Sequence, residues 1–586
     1  MIDIRLFLSL AVLAVLLMPH SVNAGRVAKY NQGSSSGTIL AAVYEHFSFS
    51  YVLPAETLTR DVAMLVMDTN LDVFREQAEK AAKKGVKIIV FPEYGITGLG
   101  LSRDELLLFS ESVPHPADFS VPIKPCEDNQ GFNRTVLGKL SCMARDNSIA
   151  LVANMATAYA CTKSEDPNCP DDGRYQYNTN VAFLSDGSFA ARYFKVNLFA
   201  GERHTFQFGH VRPRNFGVFE TEFGLFGTFT CFDILFAQPA SDLIDKIGVR
   251  YIAFPTAWMN VLPLLTAIEF QQAFAMSRGV NLLAANQHLP LAKMTGSGLY
   301  SSSQGAVAYH YDMNNYRGKL AIGRLPAGKS HDTTISENLS RLQLSTFDQS
   351  DRRASISQTW RRSIASSSVN RGNGPSFIQL SNSKTTSTKK SVNERKMRSH
   401  PAHKQTTRAP KYSNTAKITK TFTAVMNDDP YTFALVEKNA GKLEVCYNNL
   451  CCFLNYKKQQ NSLSKDRYAL GVFDGLHTTD GQYYLQVCAL VKCESGPTGQ
   501  CGQAVSHAST IFTYFHLTGN FTLTGVTKLF PEVLTSGIEL ASTAEWETTT
   551  PFNTIWSERG VSQPLLVAAI YGRRFDKDPT KIQRQD

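Results

Sequence analysis

Two kinds of hydrophobic pattern alternate along residues 35–325. Short unbroken apolar runs such as Ile88-Ile89-Val90-Phe91 and Ile149 to Met155 have the length of buried strands. Between them, Leu71, Phe74, Ala78 and Ala81 recur at helical spacing, predicting a helix over 70–84. Val181 to Leu184 and Phe189 to Phe194 flank Ser185-Asp186-Gly187-Ser188, and Asp-Gly suits the positive φ of a hairpin turn. Leu225 to Cys231, Tyr251 to Phe254 and Leu282 to Ala285 read as further strands, and 262–278 as a helix. Strands separated by helices predict a layered α/β domain over 25–325.

The pattern fades over 326–420, where Ser, Thr, Asn, Lys and Arg dominate. Such a stretch cannot bury enough apolar surface to offset the entropy of ordering, so it reads as a basic, disordered linker. From 421 to 577 short β-rich runs return, among them Tyr468 to Val472, Tyr483 to Val491 and Ile511 to His516. Asp474-Gly475 and Asp480-Gly481 read as turns between them. This predicts a mostly β domain, followed by a polar tail over 578–586.

Charge changes the picture once. The net charge of +10 is concentrated in the linker, where 17 Lys and Arg over 341–420 face only Asp348, Asp351 and Glu394. The remainder is mildly acidic. The basic residues lie among few apolar neighbours, which argues for solvated linker charge and against a nucleic-acid-binding face.

Residues 1–24 read as a signal peptide. Arg5 precedes the apolar run Leu6 to Met18, and Val22-Asn23-Ala24 offers a cleavage site. The run is short for a membrane span. The polar C-terminus offers no lipid-anchor signal, so no stable membrane anchor is expected. Eleven cysteines fit a secreted, extracellular chain held by disulfides. Four lie within 126–169 and six within 446–501, while Cys231 stands alone. It is the natural odd thiol, although counting alone also allows another free cysteine. Asn133, Asn338 and Asn520 each begin a glycosylation sequon.

Three segments carry candidate chemistry. Glu93 follows a strand ended by Pro92, at the mouth of the sheet where α/β folds bind ligands. A half-desolvated carboxyl there has its proton affinity raised toward neutrality; its ordinary reading is a loop or capping glutamate. Lys195 ends the predicted hairpin between large apolar residues, where lysines commonly snorkel to solvent. Cys231 ends a strand before a predicted helix start. That placement offers the Phe232 backbone N–H to an oxyanion and lowers the thiol pKa, against the ordinary reading of a buried inert cysteine.

As a set, strand-Pro-Glu, hairpin-Lys and strand-Cys resemble the nitrilase superfamily of carbon–nitrogen hydrolases. Asp172 to Thr179, Thr228 to Phe236, Phe254 to Asn260, Met294 to Gly298, Cys451-Cys452 and Tyr468 to His477 resemble the vanin/biotinidase family. The resemblance implies an αββα sandwich followed by a vanin-type β domain. It also implies a triad of Glu93 as acid/base, Lys195 as proton donor and oxyanion partner, and Cys231 as nucleophile, with Glu202 in support. No metal or organic cofactor is implied, and the partner is a small-molecule amide. Biotinyl-lysine (giving biotin and lysine) and pantetheine (giving pantothenate and cysteamine) compete as substrates. Phe91 with Gly95, Cys142 to Ala144, Leu282 to Asn286 and Val487 to Val491 lean toward biotinidase. A catalytically silent binding protein on the same fold is the third reading. Three departures from the superfamily bear on substrate choice: Tyr94 where Asp commonly follows the glutamate, Phe194 in place of a basic residue, and Ala237-Gln238 in place of a pair ending in Asp.

Overall fold

The computed structural model describes residues 37–52, 54–127, 135–212, 215–327, 420–459, 466–495 and 500–579. The expected signal peptide, the linker between 327 and 420, Asn133, Asn338 and the tail from 580 lie outside them.

One six-stranded sheet runs in the order β12-β1-β2-β3-β4-β5. Its strands are β1 (Thr38–Glu45), β2 (Ile88–Val90), β3 (Ala150–Ala160), β4 (Arg174–Phe183), β5 (Phe189–Phe194) and β12 (Lys319–Pro326). The second runs β11-β10-β9-β8-β7-β6. It comprises β6 (Val218–Thr221), β7 (Gly224–Thr228), β8 (Tyr251–Thr256), β9 (Asn281–Asn286), β10 (Ser297–Ser301) and β11 (Gly305–His310). The central strands β1–β3 and β7–β9 are parallel, with antiparallel neighbours outside them. The facing sides meet in one core, including Ala41, Val43, Ile88 and Val90 from the first sheet and Phe226, Ala253, Leu283 and Leu299 from the second. Alternate residues supply it, as the strand period of two requires.

Helices cover the outer faces. Helix α1 (Arg60–Ala82) starts ten residues before the predicted helix, where the Thr59 hydroxyl accepts from the Val62 N–H at 3.3 Å. Helix α2 (Arg103–Leu107) is a single capped turn, and α3 (Val136–Asn147) packs on α1. Helix α4 (Ala267–Arg278) is shorter than predicted. Residues 261–265 form a tight loop instead, held by a 2.9 Å bond from Trp258 Nε1 to the Leu265 carbonyl. The helix begins where Asn260 Oδ1 accepts the Ala267 N–H at 2.7 Å. Ten of its twelve residues are buried, polar Glu269, Gln271, Gln272 and Arg278 among them, because it lies between the second sheet and the C-terminal domain.

The C-terminal domain has a seven-stranded and a five-stranded sheet, in which every described pairing is antiparallel. Asp474-Gly475 is not a turn. It lies within the strand Tyr468–His477, where Asp474 is fully buried and accepts the Asn449 N–H at 3.0 Å. Asp480-Gly481 does lie between strands. Phe530 of the strand Thr527–Thr535 packs against Phe270 and Phe274 of α4, with ring centres 5.1 and 6.1 Å apart.

Two fully buried carboxyls sit in this junction, Glu269 on α4 and Glu532 on the facing strand. Neither oxygen of Glu532, nor Oε1 of Glu269, receives a hydrogen bond. Desolvation pushes Glu269 up to about 8 despite the Thr266 hydroxyl, and desolvation plus the Glu269 charge pushes Glu532 well above the carboxylate range. Both are therefore protonated at neutral pH. A carboxyl whose folded pKa is raised contributes stability below its unfolded value and loses it as pH climbs through the folded one. Glu532→Gln should therefore leave stability near that of the parent at pH 4.5 and raise it by about 1–3 kcal/mol at pH 8. Thermal melts at the two pH values check this; equal melting at pH 8 would count against the protonated pair.

Candidate active site

Four elements converge on one cavity of about 320 Å³. The loop after β2 brings Glu93, the residue after β5 is Lys195, a short turn after it brings Glu202, and the segment after β7 brings Cys231. Glu93 and Lys195 are each 1% exposed. The Lys195 ammonium lies 2.8 Å from Glu93 Oε1 and 2.6 Å from Glu202 Oε2. The four residues singled out in the sequence thus line one cavity, and Lys195 does not snorkel to solvent.

A ladder of asparagines fixes the carboxylates. Asn178 Nδ2 donates to Glu93 Oε1 at 2.7 Å and to Glu202 Oε1 at 3.0 Å. Its own oxygen accepts from Asn154 Nδ2 at 2.6 Å, and Asn154 also donates to Asn180 Oδ1 at 3.0 Å. The second oxygen of Glu93 accepts the Ala257 N–H at 2.9 Å, and Gln287 Nε2 holds its carbonyl at 2.7 Å. Glu202 also accepts the Phe199 N–H at 2.9 Å and the Tyr94 hydroxyl. The sequence did hold a signal for this ladder. Gln176, Asn178 and Asn180 are buried and polar at every second position of one strand, so they share one face.

The strand before Cys231 ends at Thr228, three residues short of the prediction. Cys231 opens a 3₁₀ turn, Cys231–Leu235, with φ +47°, a conformation a branched or bulky residue adopts at a cost. Asp233 holds this turn. Its carboxylate accepts from Tyr193 Oη at 2.7 Å, the Thr230 N–H at 3.0 Å, and both the N–H and side chain of Asn197 at 2.8 Å. It therefore ties the cysteine turn to the lysine loop. Burial nevertheless raises Asp233 to about 6.

Burial also sets the other proton affinities. It raises Glu93, with Lys195 opposing and the Glu202 charge assisting. It disfavours the Lys195 ammonium, but Glu202 and Glu93 outweigh it and hold the charge. It raises the Cys231 thiol far above its ordinary value; the Glu93 charge adds to this, and Lys195 and the Thr256 hydroxyl only partly oppose it. The lowered thiol pKa expected from sequence is thus reversed. A short turn's N-terminus cannot offset burial beside carboxylates, and Cys231 rests as a neutral thiol.

The C-terminal domain completes the cavity. Asn427, Asp428, His477, Thr479, Asp480 and Tyr483 line it opposite the apolar wall of Leu99, Leu106, Phe199, Phe206, Trp258 and Leu265. Arg573, fully buried, donates from Nε to the Leu235 carbonyl at 2.7 Å and from an amino nitrogen to Asp578 at 2.7 Å. One end of the cysteine turn is thereby anchored to the second domain.

A carbon–nitrogen hydrolase family model matches residues 64–284, and a vanin C-terminal domain model matches residues 420–578. Pantetheinase from Homo sapiens is 38% identical over 554 residues, covering 94% of this chain and 91% of the relative. Biotinidases from Mus musculus and Rattus norvegicus are 39% identical over 544 residues and 40% over 543, each covering 92% of this chain and 93% of the relative. The chain belongs to the vanin/biotinidase family of carbon–nitrogen hydrolases. Its nitrilase-type sandwich and antiparallel C-terminal domain are those expected from sequence.

The cysteines of this hydrolase pair within their two clusters, as Cys126–Cys142, Cys161–Cys169, Cys446–Cys451, Cys452–Cys488 and Cys493–Cys501, leaving Cys231 free. These bridges fit an extracellular protein. Among the described residues no helix is long and apolar enough to cross a membrane. Elsewhere, Glu45, His288 and His310 approach one another closely enough to share an ion. His288, however, faces Glu45 Oε1 at 2.6 Å with Nδ1 and the Asn315 carbonyl at 2.8 Å with Nε2. Both partners accept, so both nitrogens carry protons and neither offers a metal a lone pair. Burial opposes this charge, but the bond to Glu45 outweighs it and raises the pKa.

Arg573→Ala should cost about 2–4 kcal/mol of stability, because it strands Asp578 and the Leu235 carbonyl in the interior. Through the loosened turn it should also slow alkylation of Cys231 by iodoacetamide. Chemical unfolding and timed mass mapping check both; unchanged alkylation would separate Arg573 from the site.

Proposed function

We propose that this protein is a secreted amidohydrolase that cleaves a linear carboxamide through a thioester on Cys231, with a biotinyl-lysine type of substrate. The observation that carries the reading is a buried ammonium shared by two carboxylates beside a free thiol, in a cavity with a mainly apolar wall.

The roles follow from the proton affinities. The resting thiol is neutral and needs a base, and Glu93, raised by burial, is suited to take its proton as sulfur attacks the carbonyl. The C–N bond then breaks as protonated Glu93 returns that proton to the leaving amine. Glu93 next activates water, and the thioester hydrolyses to the free acid and the thiol. Lys195 stabilises the oxyanion in both halves, with the Phe232 N–H as second donor. That N–H precedes the first backbone bond of the cysteine turn, from Asp233 N–H to the Thr230 carbonyl at 3.0 Å. Glu202 fixes Lys195.

The apolar wall suits an aliphatic acyl chain, which supports biotinyl-lysine. Pantetheine is the second reading, supported by the similarity to pantetheinases. Glycosylation at exposed Asn520 would fit the secreted reading.

With both substrates offered side by side, biotinyl-lysine should be turned over with the higher kcat/KM; the reverse order would assign pantetheine. Cys231→Ala should abolish turnover with the fold kept. Glu93→Gln and Lys195→Ala should each lose roughly 10²–10⁴-fold in kcat. A loss below about tenfold would reduce either residue to a structural part.

A further inference from the structure

The two carboxylates that share Lys195 are not held alike. Glu93 receives three donors: Asn178 Nδ2, Lys195 Nζ and the Ala257 N–H. Glu202 receives four: Asn178 Nδ2, Lys195 Nζ, the Phe199 N–H and the Tyr94 hydroxyl. Asn178 and Lys195 serve both, and each carboxylate has one backbone N–H. The difference is the Tyr94 phenol.

Tyr94 is built into that position. It follows Glu93 directly and has φ +57°, which a tyrosine adopts only when its surroundings enforce it. Its N–H donates to Asn154 Oδ1 at 3.0 Å, and its carbonyl accepts the Gly98 N–H at 2.8 Å. The ring lies 6.2 Å from that of Phe206 and lines the cavity. Burial, then the Glu202 and Glu93 charges, holds the phenol protonated, so it stays a donor.

Hydrogen bonds to a carboxylate favour its ionised form, and two interacting carboxyls take up protons as a pair. We propose that Tyr94 is a positioning residue whose hydrogen bond favours the arrangement in which both carboxylates around Lys195 are ionised, the one in which Glu93 is free to act as a base. This rests on the assignment of Glu93, Lys195 and Cys231 made above. The other ionisable groups facing the pair are Lys195 after β5, Cys231 and Asp233 after β7, and Asp428, His477 and Asp480 across the cavity. Among the hydrogen bonds described, Lys195 and Tyr94 are the ionisable side chains that bond Glu202.

The Tyr94 bond is strongest when both carboxyls are ionised. Without it the pair takes up its proton at higher pH, and the acid limb of any process that needs both carboxylates ionised moves upward. In Tyr94→Phe that limb should rise by about one pH unit, a tenfold change in proton affinity. It should rise both for amide kcat/KM and for the rate of Cys231 alkylation by iodoacetamide. Placing 3-fluorotyrosine at position 94, a stronger donor of nearly the same shape, should move both limbs downward and serves even if Tyr94→Phe does not fold. A limb that stays in place, or moves the opposite way, in folded protein would overturn the proposal. Upward movement of the alkylation limb in a protein that turns over neither amide would support the proposal and sink the substrate reading instead.

Discussion

The burial of one ammonium between two carboxylates is the constraint on which the rest of the site depends. Taking a lysine out of water costs several kcal/mol, and a single carboxylate brings its own desolvation cost. Lys195 has two, at 2.8 and 2.6 Å, and the resulting triad carries excess negative charge. That excess is tolerable only because each carboxylate oxygen is met by fixed donors. The asparagine ladder, the Ala257 and Phe199 N–H groups and the Tyr94 phenol are those donors. The same excess, added to burial, leaves the thiol protonated at rest. A nucleophile of this kind is unreactive until a base and a substrate carbonyl are both in place.

The C-terminal domain belongs to the same arrangement. Its loops close the cavity with Asp428, His477 and Asp480, and Tyr483 packs against Phe232, the residue after the thiol, with ring centres 6.2 Å apart. A Cβ at Gly481 would come within 2.7 Å of the Phe232 ring, so the domains meet here as closely as side chains allow. Helix α4 is the shared floor, buried along most of its length because both domains pack on it.

What was legible in the sequence follows from which forces are local. Strands β2, β3 and β9 appear as apolar runs, the β4–β5 hairpin shows in Asp186-Gly187, and the isolated position of Cys231 marks the free thiol. The glutamate, lysine and cysteine could be brought together only as a set, because each alone has an ordinary explanation. What stayed hidden was tertiary. Asp474-Gly475 has turn chemistry but lies in a strand, where its backbone pairs with Gln486 and Leu485 and the Asp474 carboxylate has a partner from another hairpin. The start of α4 is set by Asn260 and Trp258, outside the helix. Asp233, Arg573 and the cavity-lining loops act through partners distant in sequence. The thiol's raised proton affinity was also beyond local reading, since it comes from burial by both domains.

The central claim is that Cys231, neutral at rest and served by Glu93, carries the acyl group during turnover. The most direct measurement is acid quenching of the enzyme within its first turnovers on biotinyl-lysine, followed by peptide mass mapping. The account predicts a mass increase equal to the acyl group on the peptide containing Cys231, labile to base as a thioester. It also predicts no such adduct in Cys231→Ala. Turnover of the amide with no adduct at Cys231, or with an adduct on another residue, would contradict it.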